Sequence, residues 1–412
     1  MTDLYSAFTV TQLINMYNLK CTYRYNTQSD IYIQTGNRIS LEIIKEIYNS
    51  NIFERIYVDN QLIRTEESLD SLEINIIRSR TIIRPFTCLP KPVKWIGALC
   101  LSIKKNWTLT KVIQQRDKQV NYDRIFVGTC GMSNLYIIKE ITKRRKKGIP
   151  ISFVEEGLAN YQWSVKDVCL EYTHLKPNSV TYWVNKIFGI TEKYCNNLVT
   201  SVDGIYLYSP LSYIFNDDVN VYKLPSITPE NPTKDLLQSK SYDAVLEQYS
   251  ERTCCYLMQD PTPMLEEIIQ TIVSTINPMR IVFREHPWHP LLKKLREGGN
   301  LEYVYIDSSS NTVPFESLLA DIDAENFILI TTDSSATLTP KYMFDKEPYV
   351  IYLYHITQNR LESDIQNRDQ LVQNLKNMYK NKEKIFVPNT LEELRDILIL
   401  LSKKIELDLN AK

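Results

Sequence analysis

Three short groups of polar residues in this chain of 412 residues combine side chains that could transfer a group from a phosphate-containing donor. The first is Glu155-Glu156-Gly157, the second is His286-Pro287, and the third is Ser334-Ser335. A carboxylate can act as a general base, and an imidazole can neutralise or protonate a phosphate as it leaves. Two adjacent hydroxyls beside the N–H groups of a helix start can bind that phosphate.

Each group also has a plain structural explanation. Paired acids before a glycine are common in turns, a single histidine is more often structural, and one serine before a helix is an ordinary N-cap. The order of the groups favours the chemical interpretation. His286 follows Glu156 by 130 residues (286 − 156), and Ser334 follows His286 by 48 residues (334 − 286).

Strands must position the three groups, because each group directly follows an apolar run. We predict these strands over residues 149–154, 279–283 and 327–331. In parallel α/β sheets, ligands bind at the carboxyl ends of the strands. Successive side chains of a strand point to opposite sides, so one glutamate of the pair can serve as base while the other faces the protein.

Strands and helices alternate along the rest of the chain, which indicates parallel sheets. Further strands are predicted over residues 5–10, 30–34, 53–58, 122–127, 205–208, 219–222, 254–258, 301–306 and 349–352. Helices are predicted from residue 11, over 41–48 and 264–275, after Pro314 and from the paired serines. The proline-containing segment 225–241 is the best candidate for a linker. We expect two doubly wound Rossmann-like domains facing a cleft, residues 1–235 and 236–412.

The segment from Gly128 to Asn134 is the most glycine-dense loop of the chain. Its glycines, Gly128 and Gly131, would let backbone approach a ligand closely. The lysine of a P-loop and the third glycine of a dinucleotide fingerprint are missing, so the loop is a weak phosphate signature. We add Gly128, Gly131 and Glu155 as candidate acceptor-side residues.

Composition excludes several classes of protein. Apolar residues make up 43% of the chain and charged residues 24%, with a formal net charge of −1, so no global basic field is available for nucleic acid. The eight cysteines form no C-x-x-C pair and read as reduced thiols. No apolar run is long enough to span a bilayer, so we expect a cytoplasmic protein, with the inner face of the cytoplasmic membrane as its only membrane contact.

Two lysine-rich segments have two interpretations each. In residues 85–109, lysines interleave with Trp95 and Trp107, which suits either a helix packed by its aromatic face, the preferred interpretation, or one lying on a membrane. The basic run 143–147 partly suits a helix C-terminus. As a hypothesis, it also contacts an anionic polymer or a membrane surface. That run consists of Lys143, Arg144, Arg145, Lys146 and Lys147.

Together the groups resemble the motifs of bacterial sialyltransferases with the GT-B fold, most closely glycosyltransferase family 52 and related capsule polysialyltransferases. The resemblance rests on Glu155-Glu156-Gly157, His286-Pro287 and Ser334-Ser335. The segment from Val313 to Leu318 resembles the family's P-x-E segment. By motif, the resemblance covers residues 152–352.

The resemblance implies an inverting transfer of sialic acid from CMP-sialic acid to a glycan acceptor of capsule or lipooligosaccharide type. Glu156 would deprotonate the acceptor hydroxyl, and His286 would act as the acid or phosphate partner of the leaving CMP. Ser334 and Ser335 would hold the phosphate. Further donor-side residues implied are Arg284, Pro287 and Glu316. No cofactor or metal ion is expected, since one phosphate can be neutralised by a cation, hydroxyls and a helix dipole.

Other reactions remain open. Glycerol- and ribitol-phosphate polymerases of teichoic-acid type share a His-Pro motif and a T-D-x-S-like segment, which Ile330 to Ser335 resembles, and they use CDP-linked donors. A transferase of Kdo or another sugar and a noncatalytic glycan-binding protein are further alternatives. His289, in a second His-Pro, competes with His286 for its role. Asp321-Ile322-Asp323 precedes its strand and is interpreted as a solvated loop, not as a metal site.

Overall fold

The chain forms two compact units, each built around one sheet. Unit 1 comprises Met1–Pro225 and Asn231–Leu236, and unit 2 comprises Ser226–Glu230 and Leu237–Lys412. The chain passes from one unit to the other between residues 225 and 237, inside the segment 225–241 that was predicted as a linker. The computed structural model describes all residues except 35–38, 60, 66, 70, 73–90, 129–131, 144, 146–147, 158, 174, 178, 216–217, 229, 238–241, 259–263, 287–300, 302, 310–312, 333, 358–361 and 411–412.

Unit 1 contains an eight-stranded sheet in the order β4-β3-β2-β1-β5-β6-β7-β8. Its neighbouring strands pair in parallel except β3 and β4, which form an antiparallel pair. The strands are β1 (Thr2–Ala7), β2 (Gln28–Ile33), β3 (Arg55–Val58), β4 (Gln61–Ile63), β5 (Arg124–Val127), β6 (Ile151–Val154), β7 (Val202–Leu207) and β8 (Asn220–Lys223).

Helices connect these strands. They are α1 (Val10–Tyr23), α2 (Leu41–Asn49), α3 (Lys91–Val120), α4 (Met132–Thr142), α5 (Ala159–Gln162), α6 (Val165–Leu170), α7 (Val180–Phe188) and α8 (Glu192–Val199). Side-chain oxygens set several helix starts: Thr9 accepts a hydrogen bond from Gln12 N, and Ser40 accepts one from Ile43 N. These caps satisfy N–H groups that have no partner within the helix. The short helix α9 (Thr233–Leu237) lies at the boundary of the units.

Unit 2 contains a six-stranded sheet in the order β11-β10-β9-β12-β13-β14, and all its strand pairs are parallel. The strands are β9 (Cys254–Leu257), β10 (Ile281–Arg284), β11 (Tyr305–Asp307), β12 (Ile328–Thr331), β13 (Tyr349–Tyr352) and β14 (Ile385–Phe386). The helices are α10 (Tyr242–Ser250), α11 (Leu265–Thr275), α12 (Phe315–Asp321), α13 (Thr339–Phe344), α14 (Tyr354–Thr357), α15 (Glu362–Met378) and α16 (Leu391–Asn410).

Burial explains why the strands could be predicted from the sequence. Every residue of β1, β6, β9, β10, β12 and β13 is buried, as expected for parallel strands covered by helices on both faces. The predicted α/β class, with two parallel-sheet Rossmann-like units, is confirmed. Within the described part of the chain, no helix combines the length and the apolar character needed to cross a membrane.

Several elements differ from the sequence predictions. The first strand ends at Ala7 rather than at residue 10, because Thr9 caps a helix that begins at Val10. The strand predicted over 301–306 is β11, a shorter strand beginning at Tyr305. The packed-helix interpretation of residues 85–109 is wrong for Trp107, whose side chain in α3 is 56% exposed. The helices between residues 159 and 199, α15, α16 and the hairpin strand β4 were not predicted.

A buried ion pair ties the long helix α3 to the sheet of unit 1. Arg116 Nε lies 2.7 Å from Asp30 Oδ2, and the Tyr122 hydroxyl donates to the same oxygen at 2.6 Å. The Asp30 side chain is fully buried, and that of Arg116 is 5% exposed. Neither charge can be well hydrated, so each depends on the other.

We predict that Asp30→Asn lowers the free energy of unfolding of unit 1 by up to roughly 3–5 kcal/mol. Arg116 would keep only Glu54, whose carboxyl is 3.6 Å away and 44% exposed. Urea unfolding followed by tryptophan fluorescence checks this. Asp59→Asn is the control, because the pair between Asp59 and Lys105 is exposed and its loss should cost under about 1 kcal/mol. Equal effects of the two variants would contradict the prediction.

Candidate active site

The carboxyl ends of the central strands of unit 1 lie at one edge of its sheet. In the strand register, Ser6 is opposite Val127, Val127 is opposite Phe153, and Val154 is opposite Tyr206. The loops that follow β1, β5, β6 and β7 therefore meet at this edge. The chain order reverses between β1 and β5, and such a switch point is where open α/β sheets bind ligands.

Gly128 follows β5 at this switch point, and α1 explains why it is glycine. A Cβ atom at this position would lie 2.1 Å from Cδ of Gln12, so the Gln12 side chain would have to move. Gln12 is fully buried, and its Oε1 accepts a hydrogen bond from Phe8 N at 2.7 Å. The close approach at Gly128 is therefore made to α1 of the protein itself. Gly131 lies outside the described residues.

Glu155 follows β6, and its carboxyl is turned into the protein. A single oxygen, Oε2, accepts hydrogen bonds from the Tyr161 hydroxyl at 2.5 Å and from Tyr208 N at 2.7 Å. Burial raises the pKa of Glu155 to about 7, although these two hydrogen bonds act in the opposite direction. The residue is only 5% exposed, so its contacts connect β6, α5 and the end of β7. In this setting Glu155 has a structural role.

Glu156 is the half-buried member of the pair, and its backbone is held on both sides. Asn160 Oδ1 accepts from Glu156 N at 2.7 Å and from Gly157 N at 3.3 Å, while Asn15 Nδ2 donates to Glu155 O at 2.7 Å. Gly157 has φ 146°, a conformation that side chains rarely adopt. The chain thus turns directly after Glu156, and glycine permits that turn.

Glu171 is a second carboxyl near Glu156 that the sequence did not reveal. Partial burial and the negative charge of Glu156 raise the pKa of Glu171, although the residue is exposed to solvent. It belongs to a 3₁₀ turn, Glu171–Thr173, in the helical region that was not predicted. A separation of fifteen residues (171 − 156) through loops and short helices has no periodic signal, so only the fold brings the two together.

In unit 2, the second and third groups lie at one edge as well. Arg284 and Thr331, the last residues of β10 and β12, are both opposite Leu257 of β9, one on each side. Strands are spaced by about 4.8 Å, so these two ends are about 10 Å apart. His286 follows the first end by two residues, and Ser334 follows the second by three. The switch point of this sheet lies between β9 and β12, directly before the serines.

Arg284 is buried and engaged within the protein. Its guanidinium forms a hydrogen-bonded ion pair with Asp307 at the end of β11, and its Nη2 donates to Val313 O at 2.5 Å. Burial would raise the pKa of Asp307, but the Arg284 charge and hydrogen bonds from Ser309 and Tyr249 lower it more. Because both ends of the guanidinium are committed, we assign Arg284 to positioning the edge and not to contacting a donor.

The two serines have different settings. Ser334 is the N-cap of the 3₁₀ turn Ser335–Thr337: its Oγ accepts from Ala336 N at 3.3 Å, and its own N–H donates to Thr331 Oγ1 at 2.9 Å. The predicted helix thus starts as a 3₁₀ turn before α13. Ser335 is half-buried, and the described part of the structure records no hydrogen bond from its hydroxyl. Ser335 is therefore the more available of the pair.

The other described donor-side candidates, His286 and Glu316, follow β10 and lie at the start of α12, respectively. His286 is half-buried beyond β10, and Glu316 is half-buried in the first turn of α12, three residues after the carbonyl that Arg284 holds. Pro287, His289 and Asp333 lie outside the described residues. Asp321 ends α12 and accepts from the Tyr242 hydroxyl at 2.6 Å. Within the described ranges, no group of three or more His, Cys, Asp or Glu side chains is placed to hold a metal ion.

His355 is a histidine at the same edge that the sequence analysis did not use. It follows β13, and its ring nitrogens lie 2.9 Å from Asn389 Oδ1 and 3.0 Å from Asp369 Oδ1. The Tyr354 hydroxyl also donates to Asp369, at 2.8 Å. These contacts connect α14, α15 and the start of α16, which is a structural role for the imidazole.

The basic run 143–147 contributes structural contacts where it is described. Arg145 Nη2 lies 2.5 Å from Asp117 Oδ1, and the Lys143 ammonium pairs with Glu140 within the same turn. Arg144, Lys146 and Lys147 lie outside the described residues. The two described cations are thus engaged by carboxylates of α3 and α4.

Solved structures resemble the chain in fold at low sequence identity. The structure of Phytolacca americana UGT2 complexed with UDP-2fluoro-glucose and pterostilbene is 10% identical, with a TM-score of 0.51 over 98% of this chain and 92% of that one. The fold is of the GT-B type. A second match is UDP-GlcNAc 2-epimerase of Methanocaldococcus jannaschii in complex with UDP-GlcNAc and UDP. It has 12% identity, coverage of 98% and 93%, and a TM-score of 0.47. No protein-family model and no curated protein matches the chain.

We predict that Glu155 makes a pH-dependent contribution to the stability of unit 1. Its pKa is about 7 in the folded chain against 4.5 for an ordinary glutamate, so the folded chain keeps a proton that the unfolded chain releases. Stability from this group is full below about pH 4.5 and is lost as pH rises towards 7, by about 3 kcal/mol. Glu155→Gln should lack this dependence, since its amide oxygen can accept the same two hydrogen bonds.

Urea unfolding of both proteins between pH 4.5 and 7.5 measures the difference. The wild-type advantage over Glu155→Gln should shrink steadily across this range. Glu192→Gln, at an exposed site in α8, is the control and should follow the wild type. A constant difference between wild type and Glu155→Gln would contradict the prediction.

Proposed function

We propose that the chain is an inverting sialyltransferase that moves sialic acid from CMP-sialic acid to a glycan acceptor. The observation that carries the proposal is the position of Ser334 and Ser335 directly after the strand at the switch point of unit 2, with His286 two strands away on the same edge. A ligand at a switch point contacts the loops that follow those strands.

The donor chemistry is assigned to unit 2. The Ser335 hydroxyl and the backbone N–H groups after β12 would bind the single phosphate of CMP, and His286 would neutralise or protonate it as it leaves. A monophosphate carries less charge than the diphosphate donors that usually need Mg²⁺, so these groups suffice in charge. Glu316, at the start of α12, would contact the ribose. Arg284 supports this set by fixing the ends of β10 and β11 and the approach to α12.

The acceptor chemistry is assigned to unit 1. Glu156 would take the proton of the acceptor hydroxyl, whose oxygen attacks the anomeric carbon of sialic acid. The bond from that carbon to the phosphate oxygen breaks, and its electron pair leaves with CMP. Attack from the face opposite CMP inverts the anomeric configuration. Proton uptake by Glu156 would also reduce its repulsion with Glu171, while Glu155 fixes the segment from within.

We predict turnover of CMP-sialic acid by the purified protein, in EDTA, with a glycan acceptor. Glu156→Gln and His286→Asn should each lower kcat by about 10²–10⁴-fold, the usual contribution of a general base or acid. Ser335→Ala should mainly raise the KM for the donor. Glu192→Gln is the matched control for the glutamate and should turn over as the wild type does.

CDP-glycerol, assayed in parallel, distinguishes the main alternative. Turnover of CDP-glycerol alone would assign the chain to the glycerophosphotransferase class, which shares the Thr-Asp-Ser-Ser segment after β12. Turnover of neither donor, in a protein that unfolds cooperatively, would contradict the proposal and leave another sugar donor or a noncatalytic role.

A further inference from the structure

The part of α3 from Ile96 to Trp107 exposes several large apolar side chains. Ile96 and Trp107 are each 56% exposed, and Leu101 is 45% exposed. Beyond Trp107 the helix buries its apolar residues, with Leu109 at 2% and Ile113 at 0%. The exposure therefore belongs to a stretch of about three turns and not to the whole helix.

Three of the exposed residues lie along one stripe of the helix, and Leu101 lies about 120° around the helix from it. Ile96, Cys100 and Trp107 follow one another by four and seven residues, which places them along one stripe. Asn106 and Leu109, which point in other directions around the helix, are buried, at 3% and 2% exposure. The stripe formed by Ile96, Cys100 and Trp107 is thus a line of apolar side chains that reaches solvent.

The charges on this stretch all have the same sign. From residue 91 to residue 116 the chain contains no aspartate or glutamate. Lys104 and Lys111 are exposed and lie beside the stripe, and Lys111 Nζ is 3.5 Å from the centre of the Trp107 ring. Lys105 reaches Asp59 at 3.4 Å, in an exposed pair. Lysines next to exposed tryptophan and isoleucine are typical of helices that lie in the interface of an anionic membrane.

We infer that this surface, the exposed side of α3 from Ile96 to Lys111, binds the surface of a bilayer that contains anionic phospholipid. The combination of lysines and exposed apolar side chains favours a bilayer surface as the partner. A soluble polyanion would pair with the lysines but leave Ile96 and Trp107 in water, whereas a bilayer interface takes up both the apolar side chains and the cations. Among the described residues of the run 143–147, Lys143 and Arg145 pair with carboxylates of the protein, so α3 is the better basic surface.

The inference does not depend on the reaction that unit 1 and unit 2 catalyse. It concerns a surface of α3 and not the carboxyl edge of either sheet. Its chemistry can therefore be tested with lipid vesicles alone, without donor or acceptor.

The test is flotation of the full-length protein with two kinds of vesicle, phosphatidylcholine alone and an equal mixture of phosphatidylcholine and phosphatidylglycerol. The wild type should float with the mixed vesicles only, and less so as salt is raised. Trp107→Ser and the pair Lys104→Gln with Lys111→Gln should each weaken this binding by about tenfold.

Two control variants match these changes on exposed positions of unit 2. Tyr303→Ser removes an aromatic residue that is 64% exposed, and Lys380→Gln with Lys403→Gln removes two exposed cations. Both should bind as the wild type does. Thermal unfolding checks that each variant is folded, and the lysine pair keeps the test valid if Trp107→Ser is not.

Four results would overturn the inference. One is a wild-type protein that floats with neither vesicle. Another is a pair of control variants that lose as much binding as the α3 variants, or α3 variants that bind as the wild type does. The last is retention on heparin without flotation, which would assign the surface to a soluble polyanion.

Discussion

The candidate site of unit 1 depends on the burial of one carboxyl group, that of Glu155. Its Oε2 accepts hydrogen bonds from Tyr161 and from Tyr208 N, so a single side chain holds three segments in place. A carboxyl in this environment is easier to keep protonated, which is why its pKa rises to about 7. With Glu155 fixed inward and Gly157 turning the chain, the neighbouring Glu156 is the one left at the edge.

In unit 2 a buried side chain of the opposite charge has the same role. Arg284 is buried against Asp307 and Val313 O, and this holds the ends of β10 and β11 and the approach to α12. His286 and Glu316 follow the residues that Arg284 fixes. In both units, a buried charged or ionisable group holds strand ends in place, and the candidate residue beside it is half-buried at the same edge. Buried charges of this kind are costly to leave unpaired, so their partners are as necessary as the groups themselves.

Much of the layout could be predicted from the sequence. Parallel strands buried on both faces are continuous apolar runs, so β6, β10 and β12 were found. With them came the edge of unit 1, where Glu156 lies, and the edge of unit 2, where His286 and Ser334 lie. The strand pattern predicted only that the two glutamates point to opposite sides, and not which of them faces inward. That choice depends on Tyr161, which lies in an unpredicted helix, and on Tyr208, which is distant in sequence.

Long-range contacts also explain what the sequence could not show. Nothing local indicates that Asp307 lies beside Arg284, on the adjacent strand. Glu171 was missed because short helices between residues 159 and 199 carry little periodicity. The exposure of Trp107 was missed because an amphipathic pattern does not say which part of a long helix packs against the protein.

The central claim is that the loops after β10 and β12 bind a cytidine monophosphate group, and hydrogen exchange measured by mass spectrometry tests it directly. Saturating CMP should slow exchange in peptides covering 284–286 and 332–338, and leave peptides of β2 and β8 unchanged. Protection confined to other segments, or CMP binding without protection at these two loops, would contradict the account.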